Sequence, residues 1–177
     1  LGIVMKEAGR TLAASPLYST AVLGAGLIMA AGSDEQKSAL LPKIASGETL
    51  TALALEETNH HNPLNTAMAA EKSGDGFTLN GDKKFVIDGH IADTLIVVAR
   101  TSGAAGDAQG LSMFLVDAKA EGVSVTRNHM VDSRNAASVS FANVSVRAEA
   151  LLGSLGGANA ELESSLAVSY THLRAHE

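Results

Sequence analysis

Residues 73–101 read SGDGFTLNGDKKFVIDGHIADTLIVVART, a pattern of short strands and tight turns. Asn80 followed by Gly81 is the strongest short hairpin signal in the chain, because a two-residue turn of this kind needs positive φ at both positions. SGDG, at 73–76, joins two more candidate strands, 66–72 and 77–79. Working outward, 50–55 is a candidate first strand, and further strands are expected at 84–87, 94–100, 111–117, 123–129 and 138–141. Loops fall at 102–109, flexible by composition, and at 119–122, with Asp88 and Gly89 as a turn. Strands recurring about every ten residues predict a small antiparallel barrel or sandwich.

Upstream the period is helical. Ile3, Val4, Ala8 and Leu12 lie on one helical face, and Ser15 with Pro16 reads as an N-cap with proline at the first helical position. Gly32 is expected to end that helix in a left-handed conformation. Ser33 opens another, with Asp34 and Glu35 at the positive end of its dipole and Gln36 completing a capping box. This helix is expected to run to about Leu41, turn at Pro42 and end at Gly47. A domain boundary follows at 47–49, and a short helix resumes near Asn159. The fold class is therefore α+β: an all-α N-terminal portion followed by an antiparallel β-barrel or sandwich.

The 177 residues contain no cysteine or tryptophan, 46% are hydrophobic, and 13 basic against 19 acidic side chains give a formal charge of −6. Such a chain buries a core. Lacking cysteine, it has no disulfide, thiolate metal site or cysteine nucleophile, which suits a reducing cytoplasm. The acidic balance, without a basic run, argues against a nucleic-acid partner. Residues 11–33 form an uncharged run of 23 positions, but glycines, serines and Pro16 break it, and the apolar stretch 21–31 is about half of a membrane span. It reads as a buried helix, with no membrane span expected.

Taken alone, the residues assemble no decisive catalytic constellation. His60 and His61 stand near Glu56 and Glu57, yet neighbours in an extended segment point to opposite faces, so at most one of each converges and no metal site is expected. There is no GxSxG elbow, and neither GAG at 24–26 nor GSLGG at 153–157 follows a strand in a parallel βαβ unit. Phe85 and Ile87, and likewise Leu53 and Leu55, share one strand face and read most simply as core. His90 reads as a loop residue satisfying local backbone, and Arg134 as a surface or interface arginine.

Several stretches in order resemble the acyl-CoA dehydrogenases. GSDEQKSALLPKIASGE, 32–48, is similar to the helix that closes their N-terminal helical domain, and TALALEE, 51–57, to the strand that touches the flavin. The 73–101 stretch, GLSMFLVDAKAEGVSV at 110–125 and SVSFANVSV at 138–146 resemble their middle β-domain. FVIDGHIAD at 85–93 and MVDSRNAA at 130–137 resemble a divergent bacterial branch that includes small subunits of two-chain dehydrogenases. On this reading, 1–48 is the end of the N-terminal domain, 49–150 the middle domain, and 151–167 a linker and the start of a C-terminal helical domain that is otherwise missing. The stretch 168–177, VSYTHLRAHE, with His172 and His176, resembles translated adapter sequence and is read as a non-native tail.

The resemblance implies α,β-desaturation of an acyl-CoA thioester with FAD as hydride acceptor, an electron-transfer flavoprotein or similar acceptor downstream, and homo- or hetero-oligomers of dehydrogenase chains. Its base is a glutamate of the C-terminal domain, so no catalytic residue is assigned within 1–177. Leu53, Leu55 and Glu56 match the family's ALTEP strand, whose backbone meets the flavin, although Glu56 replaces the threonine. Phe85, Val86 and Ile87 match its WIT segment: Phe85 keeps the aromatic, while Ile87 lacks the hydroxyl. Asn62 stands where the serine of AGSD lies beside the pyrophosphate and the CoA end of the substrate. Each missing hydrogen bond costs about 1 kcal/mol, so weak FAD binding or none is expected of this chain by itself, and, without the C-terminal base, no turnover. The alternative is a non-catalytic partner subunit whose β-domain serves assembly. A stand-alone β-barrel binding module is a third reading, disfavoured by the matching helices.

Overall fold

A computed structural model describes residues 2–131 and 135–174, with side chains as far as 167. Helix α1 spans Gly2–Arg10. A π-helical segment, Tyr18–Gly24, runs directly into α2, Ala25–Ala31. Ser15 Oγ accepts the N–H of Leu17, as the cap reading requires. Gly32 departs from expectation: its backbone is extended, with φ −69°, and what it supplies is space, since a Cβ there would lie 2.5 Å from the Ile28 carbonyl oxygen. Helix α3, Asp34–Ser46, opens on the Ser33–Gln36 capping box and ends at Gly47, φ 76°. It passes through Pro42 rather than turning there, because the ring removes one N–H donor without dislodging the anchored turns on either side.

The strands are β1 Thr51–Ala54, β2 Ala69–Ser73, β3 Gly76–Ile87, β4 Thr94–Arg100, β5 Leu111–Asp117, β6 Val123–His129, β7 Asn135–Arg147 and β8 Leu151–Leu152. They form one sheet in the order β6-β7-β3-β2-β4-β5-β8, with β1 added beside β4. Pairing is mostly antiparallel; β1 runs parallel to β4, and β2 meets β4 through one parallel pair. The expected hairpin at Asn80–Gly81 is instead a bulge inside β3, which pairs with β2 and β7 on its two edges. A bulge uses the same positive-φ glycine as a turn, and Gly81 has φ 145° and lies against Met68. Asn80 Oδ1 accepts the N–H of Asn143 across it. The true β2–β3 turn is at Gly74 and Asp75, within SGDG.

Two apolar clusters sit on the two faces of β1, β4 and β5. Ala52, Ala54, Leu95, Val97 and Phe114 join Leu79, Val86, Val139 and Val144 inside the sheet's curve. Leu53, Leu55, Ile96, Val98 and Met113 pack outward against Leu23, Leu27 and Ile28 of the helices and Leu162 of α4, Asn159–Arg174. Burial on both faces explains why β4 reads TLIVVAR without alternation. Gly24 allows the helix to come so close: a Cβ there would fall 1.8 Å from Thr51 Oγ1. Thr20 and Thr51 complete the seam, the Thr51 N–H donating to Thr20 Oγ1 at 3.1 Å and Thr20 Oγ1 lying 3.1 Å from the Thr51 carbonyl.

The loop 102–109 is anchored rather than free. Arg100, buried, donates to the carbonyls of Leu64, Thr66 and Gln109 at 2.8–2.9 Å and lies within 3.5 Å of those of Ser102 and Asp107. Helix α4 begins at Asn159 as expected, and its backbone continues to Arg174, into the stretch read from sequence as a non-native tail. The side chains of Arg134, His172 and His176 lie outside the described residues. No helix among the described residues is long and apolar enough to cross a membrane.

Candidate functional site

The second bulge of β3 shapes the site. Between Lys83 and Val86 the register with β7 shifts, and Phe85 takes φ 51°, an uncommon and costly conformation for an aromatic residue. Lys83 and Val86 therefore point inward while Lys84, Phe85 and Ile87 all face outward. Phe85 and Ile87 are not core, as their alternation alone suggests: each is 38% exposed. Leu53 and Leu55 are buried, but on the helix-facing side of β1. All four residues, with Glu56, line one cavity of ≈ 510 Å³. Tyr18, Ser19 and Leu23 of the π-helical segment form another wall, and His61, Lys84, Met130, Asn135, Ala136 and Leu166 complete it. That volume and the predominance of apolar walls suit a small-molecule site.

Sequence reasoning did not bring in the π-helical wall, and it weighed His61 only as a metal ligand beside Glu56. A π-helical turn is a common accompaniment of functional sites, but it leaves no composition signal. Val86 is matched to the site only through its backbone, since its side chain belongs to the inner cluster. Asn62 lies in a neighbouring hollow of ≈ 350 Å³, with Pro63, Leu64, Asn159, Leu162 and Glu163; His61 and Leu166 border both spaces.

The polar groups are held in place. Glu56 accepts hydrogen bonds from His61 Nδ1, at 2.5 Å, and from the N–H of Asn62, at 3.2 Å. The carbonyl of Glu56 receives the N–H of Lys84, and that of Leu55 receives Lys83 Nζ. Lys83, wholly buried, also donates to Glu57 Oε1 at 2.7 Å. Burial pulls its ammonium below the ordinary lysine range, while the charge and hydrogen bond of Glu57 oppose the shift. Asp88, buried at φ 56°, receives Ser19 Oγ at 2.7 Å and so ties the π-helical wall to the end of β3. His90 was expected to satisfy local backbone, yet its Nδ1 is buried with no partner among the described residues. Glu56 and His61 are one carboxylate and one imidazole converging, and no group of three metal-ligating side chains occurs among the described residues.

Residues 52–144 match the acyl-CoA dehydrogenase middle domain, and 1–48 match the N-terminal domain of the same family. The chain belongs to the acyl-CoA dehydrogenase family. It is 32% identical over 176 residues to cyclohex-1-ene-1-carbonyl-CoA dehydrogenase of Geobacter metallireducens, covering 96% of this chain and 46% of that protein. Among solved structures, the ChsE4–ChsE5 complex from Mycobacterium tuberculosis aligns with TM-score 0.85 and 27% identity, over 94% of this chain and 43% of that one. Butyryl-CoA dehydrogenase from Megasphaera elsdenii aligns with TM-score 0.81 and 27% identity, over 89% of this chain and 42% of that one. The chain spans less than half the length of these acyl-CoA dehydrogenase relatives.

Proposed function

We propose that this chain is the flavin-binding portion of an FAD-dependent acyl-CoA dehydrogenase that introduces an α,β double bond into an acyl-CoA thioester. In this reading, 1–48 ends the N-terminal domain, 49–150 is the middle domain, 151–167 leads into a C-terminal helical domain, and 168–177 is non-native. The observation that carries it is the convergence of Leu53, Leu55, Phe85 and Ile87 on one cavity, from two segments about thirty residues apart in sequence. The cavity suits a planar, largely apolar ring: its walls are leucine, isoleucine and an aromatic side chain left part-exposed on a strained backbone.

When bound there, FAD supplies the hydride acceptor. Phe85 would be the aromatic offered to the ring, and Leu53, Leu55 and Ile87 would keep water from it. The carbonyls of Leu55 and Glu56 already accept Lys83 and Lys84, so the hydrogen bonds this segment offers a ligand come from its N–H groups. Glu56 does not serve as the α-proton base, because His61 and the Asn62 N–H already hold its carboxylate. That role would fall to a C-terminal glutamate, and Asn62, in the adjoining hollow, would meet the CoA end of the substrate. An electron-transfer flavoprotein or similar acceptor removes the electrons, and a cytoplasmic setting agrees with the cysteine-free composition.

A second reading, a non-catalytic partner subunit in a heteromeric dehydrogenase, is favoured by the two lost hydroxyls: Glu56 and Ile87 offer none to a flavin. Equilibrium dialysis of the chain against excess FAD tests the first reading. Weak but saturable flavin binding that falls with Phe85→Ala supports it. Flavin retained only when a second dehydrogenase chain is co-expressed supports the partner reading, and no flavin under either condition overturns both.

A further inference from the structure

Glu56 is a carboxylate fixed in the wall of an otherwise mainly apolar cavity, and the flavin reading does not use its charge. Its side chain is only 20% exposed, and hydrogen bonds from His61 Nδ1 and the Asn62 N–H hold it in place. Two such bonds prevent the side chain from swinging out to water. The other charged groups around the cavity behave differently. Lys84 lines it but is exposed and screened, His61 is 67% exposed, and the buried Lys83 ammonium, though near enough to feel Glu56, is hydrogen-bonded to Glu57 instead. Glu163, a second acidic group, lines the neighbouring hollow, where it accepts a hydrogen bond from Asn159.

We propose that Glu56, positioned by His61, is a built-in negative charge that makes a flavin in this cavity a poorer oxidant. The inference rests on the cavity being a flavin site. Uptake of a hydride brings two electrons and one proton to the oxidised ring, which then carries one additional negative charge; the acyl substrate supplies the hydride and releases its α-proton to a base. Like charges repel more strongly in a partly desolvated cavity than in water. Glu56 therefore weakens the binding of the reduced, anionic flavin relative to the neutral oxidised ring, whereas a hydroxyl in its place would not. By thermodynamic linkage, that difference in affinity is a lowering of the bound flavin's reduction potential. The chain is thereby biased against accepting electrons from saturated acyl groups.

The test measures dissociation constants of oxidised FAD and of dithionite-reduced FAD under anaerobic conditions, on the whole chain and on Glu56→Gln and Glu56→Thr, by flavin fluorescence and equilibrium dialysis. The parent chain is expected to bind oxidised FAD at least tenfold more tightly than reduced FAD. Both variants should shrink that ratio by about tenfold, with unchanged circular dichroism. A purely structural role for Glu56 would weaken both forms equally and leave the ratio alone, and that outcome overturns the proposal. If the parent binds neither form, the flavin reading fails and takes this inference with it; binding with an unaltered ratio defeats the inference only. Two variants of different shape keep the measurement available should one of them misfold.

Discussion

Lys83 and Glu57 form a buried ion pair, Nζ to Oε1 at 2.7 Å, that fastens the segment after β1 to the interior of β3. The Glu57 carboxylate also takes the N–H groups of Ala67 and Met68, and Lys83 also donates to the Leu55 carbonyl. Everything between these anchors, including Glu56, His61 and Asn62, is thereby held at the cavity rim. This is a positioning role, one step removed from any ligand.

The two halves of the pair should not cost the same to remove. Glu57→Ala leaves the buried ammonium without its carboxylate and orphans two backbone donors, so a loss of about 3 kcal/mol in urea unfolding is expected. Lys83→Met puts an apolar chain of similar length into an apolar interior, while Glu57, 17% exposed, keeps its two N–H donors; a loss of about 1 kcal/mol or less is expected. Equal losses would show that the pair does not hold the segment in the manner described.

The buried ammonium also gives a pH signature. Burial depresses the Lys83 pKa in the folded state below 10.5, so over the interval from that depressed value up to 10.5 the unfolded chain binds more protons than the folded one. Stability contributed by Lys83 is therefore fully present above pH 10.5 and is lost as pH falls through the folded-state value. Unfolding midpoints should rise with alkaline pH across that window in the parent relative to Lys83→Met. A parent curve parallel to the variant's would refute the assignment.

Arg100 carries a different burden, a buried guanidinium bonded only to carbonyl oxygens from two stretches of chain, 64–66 and 102–109. Arg100→Lys has too few donors, in the wrong geometry, to satisfy them, and should recover little of the stability lost in Arg100→Ala, about 3 kcal/mol or more. Hydrogen exchange should quicken across 102–109 in both variants. Fast exchange there in the parent would mean the loop is not anchored.

How much of this was legible in the sequence follows from which signals are local. The Ser33–Gln36 box, the stop at Gly47 and the strands at 94–100, 111–117 and 123–129 are set by neighbours a few residues away, and the sequence places them well. Asn80–Gly81 was misread because positive φ serves a bulge as well as a turn, and the choice rests with β7, some sixty residues downstream. Of the site, the strand pairs Leu53–Leu55 and Phe85–Ile87 were legible through family resemblance. Leu53 and Leu55 are core as read, but the facing direction of Phe85 and Ile87 was not legible: the bulge at Phe85 turns one residue out of step, and no period-two reading detects that. Lys83 was missed for the same reason, being one of two adjacent lysines in GDKKF of which only one has an acidic partner inside.

Phe85 joins these threads, because its φ of 51° should be an energetic cost that the cavity makes useful. An aromatic residue held there stores about 1–3 kcal/mol, since its Cβ crowds the adjoining backbone. Glycine relieves that strain but loses about 0.5–1 kcal/mol through the freer unfolded chain. It also gives up the burial of a ring that is only 38% exposed, about 1–2 kcal/mol, which offsets most of the relieved strain. Phe85→Gly should therefore unfold within about 1 kcal/mol of the parent, whereas Phe85→Ala, keeping the strained backbone and losing the ring, should be the less stable of the two. FAD affinity should fall at least tenfold in both, because both remove the stacking surface. A glycine variant that loses about 3 kcal/mol would return Phe85 to the core, and one that binds FAD as tightly as the parent would remove the ring from the flavin site.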